Sequence, residues 1–152
     1  MLRLSKKMLF AIEAVVDIAY HSGGQPVQSG DITRRQGIPR RYLEQVLQRL
    51  VRAKILSGVR GPRGGYNLAR ERRHISVGEI VRIVRAMELA GDPLADDTTG
   101  SELAVKVIRP LWLDLQNDVM GRLDQLTIDD LCNDANKRGV PSEGRQNLDF
   151  TI

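Results

Sequence analysis

Two arginines, Arg60 and Arg63, have the surroundings that a binding site for a polyanion requires. They lie in residues 56–68, where short strand-like runs flank the turn Gly61-Pro62-Arg63-Gly64-Gly65. Glycine and proline at these positions predict a tight β-hairpin. The tip offers no acceptor or nucleophile, and glycine lets its backbone approach another surface closely, so the two cations suit a polyanion. Taken alone, such a segment is more often an ordinary basic hairpin loop.

The residues before this hairpin predict a helix-turn-helix. Ser29 is the expected N-cap of a first helix, and Gly37 is placed to end that helix with a positive φ. Pro39 suits the first turn of a second helix, where its missing N–H costs nothing. The second helix has a single apolar stripe, formed by Leu43, Val46, Leu47, Leu50 and Val51.

The other side of this second helix carries groups that bind nucleic acid. Its first turn and opposite face contain Arg40, Arg41, Tyr42, Gln45, Gln48, Arg49 and Arg52. Basic groups hold phosphates and amides read base edges. A helix-turn-helix followed by a glycine-arginine hairpin predicts a winged helix, with the second helix in the major groove and the wing on the flanking backbone or minor groove. We expect Ser29 to belong to the same DNA-binding surface.

The basic charge is concentrated in the same half of the chain. Residues 1–85 contain 17 Lys and Arg against 6 Asp and Glu, a net charge of +11, whereas residues 86–152 contain 6 against 13, a net charge of −7. One end of the molecule is therefore predicted to bind a polyanion. A solvated basic face without function is the weaker alternative.

Composition excludes several other classes of protein. With 152 residues and 41% hydrophobic content, the chain can bury one ordinary core, or a small domain plus a long helix. No apolar run approaches the roughly 20 residues that span a bilayer, and Glu13 and Asp17 make the N-terminal stretch an amphipathic helix rather than a signal peptide. A single cysteine is typical of a protein in the reducing cytoplasm. We therefore expect this protein to be cytoplasmic and associated with the nucleoid. No nucleophile is paired with a base, so we predict no enzyme, and we predict no cofactor or metal.

The remaining patterns predict a mainly α fold with a small β-hairpin wing. A first helix covers residues 5–22, with an inward face formed by Leu9, Ile12, Val15, Val16 and Ala19. A capping box at Ser76 and Glu79 begins a helix that runs to about Glu88, and Thr127 begins another. The predicted units are a winged helix-turn-helix domain (1–88), an acidic loop (89–100), a dimerisation helix with a C-terminal helix (101–138) and a polar tail (139–152).

The helix after the acidic loop is the predicted dimer interface. Its apolar stripe is of the coiled-coil kind and contains Val105, Ile108, Trp112, Leu115 and Val119. Pro110 either lies in the true first turn or kinks a helix begun at Ser101. The helix could instead pack on its own domain. We favour a partner subunit, because a small winged domain cannot cover the whole stripe and paired recognition helices lengthen the DNA site.

Several short motifs are shared with one family of regulators. They are Leu2-Arg3-Leu4-Ser5-Lys6, Gly37-Ile38, Tyr42-Leu43-Glu44-Gln45, Val59-Arg60-Gly61-Pro62, Gly64-Gly65-Tyr66, Ser76-Val77-Gly78-Glu79 and Leu111-Trp112. Over residues 2–131 the chain resembles the IscR/NsrR/CymR family of bacterial winged-helix regulators, also called the Rrf-two family. The resemblance implies a homodimeric transcription factor, usually a repressor, on a palindromic operator in double-stranded DNA. By position, it implies that Arg40, Arg41, Glu44 and Gln45 lie in or beside the major groove and that Arg60 and Arg63 belong to the wing.

The chain departs from the cluster-binding members of that family. Those members carry three cysteines in the loop before the long helix, sometimes with a histidine near the helix start. Residues 91–106 contain no Cys and no His, and Arg109 stands where that histidine would be, three residues before Trp112. Cluster ligation needs several thiolates, so we expect no iron–sulfur cluster. The carboxylates near this loop, from Glu88 to Glu102, more often form a solvated acidic loop than a cation site.

The signal to which such a regulator responds is left open among three classes. They are a small metabolite, a protein partner and thiol chemistry. Cys132 is interpreted as a small buried hydrophobic residue, because we expect no adjacent cation that depresses its pKa. Two other functions compete with a specific regulator: a protein-interaction module derived from a winged helix, and a nucleoid protein without operator preference. We propose the acidic loop as the place of control, since it joins the two halves.

Overall fold

The computed structural model describes residues 5–90 and 100–144. This part of the chain is mainly helical with one antiparallel hairpin, which confirms the predicted fold class. The elements are α1 (Lys6–His21), α2 (Ser29–Gln36), α3 (Arg40–Arg52), β1 (Leu56–Val59), β2 (Gly65–Leu68), a 3-10 turn (Arg72–His74), α4 (Val77–Leu89), a π-helical turn (Ala104–Ile108), α5 (Arg109–Gln125) and α6 (Ile128–Lys137).

Helix α1 lies in the centre of the core. The side chain of its N-cap, Ser5, accepts a hydrogen bond from the Met8 amide at 3.2 Å. The buried side chains of the helix are Met8, Ala11, Ala14, Val15, Asp17 and Ile18. The prediction that Leu9 faces inward is wrong, because this side chain is 47% exposed. Apolar residues surround most of α1, so packing against the other helices selects the buried face, and periodicity alone does not.

Helices α2 and α3 form the predicted helix-turn-helix. Gly37 ends α2 with φ at 66°, and its amide donates to the Thr33 carbonyl at 2.9 Å. Two details of the prediction are corrected. Ser29 is the first residue of α2 and does not cap it, because the N-cap position belongs to Gln28, whose side chain makes no capping bond. Pro39 occupies the N-cap position of α3 and lies one residue before its first turn.

Strands β1 and β2 form the wing. Their register pairs Leu56 with Leu68 and Val59 with Gly65. The segment before α2 joins the hairpin, since Val27 and Tyr66 exchange backbone hydrogen bonds of 2.9 and 2.8 Å. A side chain at Gly65 would overlap the Val27 carbonyl. Glycine at this position therefore lets the wing attach to the helix-turn-helix.

Two capping boxes begin α4 and α6. The Ser76 hydroxyl accepts from the Glu79 amide at 3.2 Å, and the Glu79 carboxylate accepts from the Ser76 amide at 3.0 Å. Thr127 and Asp130 form the equivalent pair at 3.1 and 2.9 Å. A β-bridge joins Ser76 to Thr127, so the two helix starts lie side by side. Both predicted helix starts are confirmed.

The helix that contains Pro110 begins before the proline. Residues 102–103 are helical, the π-helical turn follows, and Pro110 lies in the first turn of α5. Proline has no N–H to donate and its ring needs space against the preceding turn, and a wider π turn meets both conditions. The structure thus combines the two predicted alternatives.

Part of the predicted polar tail packs on the winged domain. Residues 140–144 lie against the end of α1, and both Ser142 and Gly144 are buried. Most of the predicted acidic loop, residues 91–99, lies outside the described residues. So do residues 145–152 of the tail.

Candidate nucleic-acid interface

Helix α3 has an inner apolar face and an outer polar face. Its buried side chains are Leu43, Val46, Leu47 and Leu50. The predicted DNA-contacting residues Arg41, Glu44, Gln45, Gln48 and Arg49 are all exposed. Their spacing of three and four residues places them on one outer surface of the helix. This surface presents guanidinium and amide groups together, which suits contact with phosphates and base edges.

Arg40 and Glu44 form an ion pair at the start of this surface. The Arg40 Nε lies 3.2 Å from the Glu44 carboxylate, and the two side chains are 80% and 53% exposed. An exposed pair of this kind contributes about 0 to 1 kcal/mol, so a phosphate can replace the carboxylate at small cost. The pair therefore leaves Arg40 available to a polyanion.

A groove connects the wing with the helix-turn-helix. It is lined by Ser29 at the start of α2, Arg40 at the start of α3 and Arg60 in the wing, so three predicted site residues meet there. Arg63 is exposed at the wing tip. The turn next to it requires glycine at position 64, because a side chain there would overlap the Val59 carbonyl. Within residues 5–90 and 100–144, no carboxylate pairs with Arg60 or Arg63.

Tyr42 differs from the other predicted site residues of α3 because it is half-buried. Its hydroxyl donates to the Lys7 carbonyl at 2.6 Å, and its ring lies 6.1 Å from that of Phe10. Burial, together with the nearby Glu88 carboxylate, raises the pKa of the phenol to about 12. The phenol therefore stays protonated and donates its hydrogen to the Lys7 carbonyl of α1. Through this bond Tyr42 connects the start of α1 to the start of α3.

Two lysines that were not predicted as site residues lie beside the rings of Tyr42 and Phe10. The Lys7 ammonium lies 5.9 Å from the Tyr42 ring centroid, and the Lys6 ammonium lies 5.8 Å from that of Phe10. Both lysines are exposed, and they bring positive charge from α1 to the edge of α3. Two consecutive lysines were visible in the sequence, but nothing local indicated that they would lie beside α3.

The predicted dimer stripe is exposed along the π turn and α5. The exposed fractions are 41% for Val105, 51% for Ile108, 45% for Trp112, 48% for Leu115 and 42% for Val119. The side of α5 that contacts the domain instead buries Gln116 and Met120. The winged domain thus leaves a large apolar surface on this helix uncovered.

Cys132 is buried on α6, as expected for a small core residue. The expectation that no cation lies near it is wrong, because Arg72 approaches the thiol from the 3-10 turn. Burial nevertheless raises the pKa of the thiol and outweighs the opposite effect of Arg72. A protonated, buried thiol is a poor nucleophile and a poor metal ligand.

Residues 4–134 match the model of the Rrf2 family, described as an iron-dependent transcriptional regulator. The chain belongs to the Rrf2 family. Two HTH-type transcriptional regulators named IscR are similar to this Rrf2 protein. The one from Photobacterium profundum is 35% identical over 146 residues, which cover 95% of this chain and 83% of the relative. The one from Escherichia coli is 36% identical over 146 residues, which cover 95% of this chain and 88% of the relative.

Solved structures agree with this membership. IscR from T. potens superposes with a TM-score of 0.71 at 33% identity, covering 93% of both chains. CymR, the global cysteine regulator of B. subtilis, gives a TM-score of 0.67 at 28% identity, covering 88% of this chain and 98% of that one. These Rrf2 relatives are transcriptional regulators and not enzymes. The chain is therefore a DNA-binding transcriptional regulator with a winged-helix fold.

Among residues 5–90 and 100–144, each helix is too short or too polar to cross a bilayer.

Proposed function

We propose that this Rrf2 regulator is a homodimer that binds a palindromic operator and represses transcription from it. The outer face of α3 would read base edges in the major groove, and Arg60 and Arg63 would hold the flanking backbone. One observation carries the proposal: the start of α3 and the wing line a common groove, and no carboxylate in the described residues neutralises the wing arginines. A dimer seated on a promoter would exclude other proteins from the same DNA.

The exposed stripe on α5 supports a dimer. Trp112, Leu115 and Val119 are each more than two-fifths exposed in the single chain. A second copy of the same helix would bury these side chains, and a two-fold axis would place one recognition helix in each half of a palindrome. The division of charge fits the same arrangement, with residues 1–88 binding DNA and residues 101–138 joining the two subunits.

We propose that the protein works without an iron–sulfur cluster, although its family is described as iron-dependent. The residues do not fit a cluster, since the sequence has one cysteine and a cluster needs several thiolates. That cysteine lies on α6 and is buried in the hydrophobic core. In the part of the chain that the structure describes, no three His, Cys, Asp or Glu side chains are grouped to hold a metal ion.

The signal is proposed to be a small metabolite or a protein partner. Thiol sensing is disfavoured, because Cys132 is buried and its pKa is raised. The acidic loop of residues 89–100 connects the two functional halves, so a ligand bound there could change the spacing of the recognition helices. Residues 91–99 lie outside the described residues, and the proposal for the loop rests on its place in the sequence.

Equilibrium binding to duplex DNA over a range of salt concentrations tests the proposal. We expect two chains on each bound duplex and a log-log slope of about −0.9 for every phosphate neutralised. A protein-interaction module would bind no duplex at any salt concentration. A nucleoid protein would show the slope but would bind all sequences equally.

A further inference from the structure

Residues 140–144, which we call the strap, are hydrogen-bonded to and packed against the end of α1. The Tyr20 hydroxyl donates to the Val140 carbonyl at 2.5 Å, and the Ser142 hydroxyl donates to the Tyr20 carbonyl at 2.7 Å. Gly144 lies so close to Gly23 that a side chain on either residue would overlap the backbone of the other. These contacts connect positions more than 100 residues apart, so the strap is an integral part of the winged domain.

The strap places one carboxylate against helix α2. Glu143 accepts from Arg34 at 3.0 and 3.1 Å and from Arg35 at 2.6 Å. The Arg35 side chain is only 10% exposed. Its Nη2 and Nε atoms donate to the fully buried Asp17 carboxylate at 2.8 and 2.9 Å. Gln36 also donates to Asp17, at 2.8 Å. The last turn of α2 is thus held between α1 and the strap.

Helix α2 depends on these polar contacts because it has little apolar contact of its own. It has eight residues, and Ile32 is its one buried side chain. A helix of two turns is unstable unless tertiary contacts hold it. Charge-assisted hydrogen bonds to a nearly buried guanidinium are among the stronger polar contacts. Without Glu143, the Arg35 Nη1 donor would lose its protein partner and the last turn of α2 would be held on one side only.

We propose that Glu143 is a positioning residue for DNA binding. It fixes the last turn of α2 and thereby the turn at Gly37, which sets the position of α3 against the DNA. Glu143 does not touch DNA in this arrangement, and it acts through Arg34 and Arg35. The proposal rests on the proposed DNA-binding function and adds a part of the chain that lies outside the helix-turn-helix.

The sign of one effect separates this proposal from simple electrostatics. Replacing Glu143 by Ala removes a negative charge, and for a protein that binds a polyanion this change alone would strengthen binding. The proposal predicts weaker binding, because α2 and α3 would occupy the binding-competent arrangement for a smaller fraction of the time. A competent fraction reduced to roughly 0.1–0.2 would raise the apparent Kd about fivefold to tenfold.

The experiment compares E143A with D134A in the full-length chain. Asp134 is a matched control, since it carries the same charge and forms an exposed pair with Arg138 on α6. Duplex affinity is measured well below the unfolding temperature of each variant, together with amide hydrogen exchange in residues 29–37. We expect weaker binding and faster exchange for E143A, wild-type exchange and equal or tighter binding for D134A, and partial recovery for E143D.

Four outcomes are distinguished. Duplex affinity of E143A equal to or above that of the wild type overturns the proposal, as does unchanged exchange in α2. If E143A does not fold, E143Q, which keeps the size of the side chain and one acceptor, replaces it in both measurements. If the wild type itself binds no duplex, the DNA-binding function fails, and exchange in α2 still decides whether Glu143 positions that helix.

Discussion

Arg82 on α4 and Asp124 on α5 form a bidentate ion pair. The guanidinium Nη1 and Nη2 atoms donate to the two carboxylate oxygens at 2.6 and 2.7 Å, and this contact with Arg82 lowers the pKa of the Asp124 carboxyl. The Asp124 carboxylate fills the space that a side chain at Gly78 would need. Glycine at this position therefore lets α5 pack closely against α4.

Substitution of Gly78 tests this close contact. Alanine normally stabilises a helix relative to glycine, but a methyl group at Gly78 would overlap the Asp124 carboxylate and crowd the Asp124 backbone nitrogen, so the ion pair with Arg82 would have to shift. We expect Gly78→Ala to lower the free energy of unfolding by about 1 to 3 kcal/mol, as overpacking does. Urea unfolding of the purified protein measures this change.

Gly121→Ala is the matched control for that substitution. Gly121 lies in α5 with open space around the position of a Cβ. The same change should there raise the free energy of unfolding by about 1 kcal/mol, through helix propensity alone. Equal effects of the two substitutions would contradict the close α4–α5 contact.

The wing arginines should control the electrostatic part of DNA binding. The double variant R60A/R63A removes two cations from the wing, and we expect weaker binding to every duplex sequence. If each arginine neutralises one phosphate, the salt slope should become less steep by about 0.9 for each residue. Fluorescence anisotropy at several salt concentrations measures both quantities. The variant R73A/R138A removes the same charge elsewhere, and a comparable loss in slope for it would argue against a specific role for the wing.

If α5 joins two copies of the chain as proposed, a charge in its stripe should separate them. In L115D each subunit would place an unpaired carboxylate in an apolar interface, which costs several kcal/mol, so we expect dimerisation to weaken on the order of 100-fold or more. N117D introduces the same charge on the exposed side of α5 away from the stripe and should remain dimeric. Sedimentation velocity measures both. A wild-type protein that sediments as a monomer would remove the basis for two recognition helices.

Local chemistry explains which parts of the fold could be predicted from sequence. The turn at Gly37, the apolar stripe of α3 and the capping box at Ser76 depend on neighbouring residues, and their prediction is confirmed. The buried face of α1 could not be predicted, because Leu9 and Met8 are both apolar and only the packing of distant helices distinguishes them. The contact of Glu143 with Arg35 spans 108 positions and follows no local pattern.

The same limit applies to the candidate DNA-binding surface. The arginines and glutamines of α3 and the wing were predicted because helix periodicity and turn residues place them on a common side. Lys6 and Lys7 were missed, since their position beside α3 depends on how α1 packs. Arg72 was missed beside Cys132 for the same reason, as 60 positions separate the two residues in the chain.

His21 should make the stability of the winged domain sensitive to pH. Its Nδ1 atom accepts a hydrogen bond from the Glu143 amide at 3.1 Å, which requires the unprotonated nitrogen. The groups that face it are Asp17, Arg34, Arg35, Glu143 and the ring of Tyr20. Burial is the largest effect on His21 and lowers its pKa below the ordinary value of 6.5. The neutral ring therefore contributes stability above pH 6.5, and this contribution is lost as the pH falls through the lower folded-state pKa.

Two histidine variants measure this contribution. His21→Asn keeps an acceptor near the position of Nδ1 but does not titrate, so its thermal midpoint should fall less than that of the wild type between pH 7 and pH 5. His74→Asn changes the exposed histidine of the 3-10 turn and should follow the wild type over this range. If His21→Asn and the wild type have parallel pH profiles, the titration of His21 does not limit stability.

Selection from a random duplex library tests the central claim most directly. The full-length protein is mixed with the library at physiological salt, the retained duplexes are sequenced, and their common motif is determined. A dimer with one recognition helix in each half-site predicts an inverted repeat whose half-site centres are about 10–10.5 base pairs, or a multiple of that, apart. Retained duplexes without a common motif, or no retained DNA at all, would contradict sequence-specific recognition by this protein.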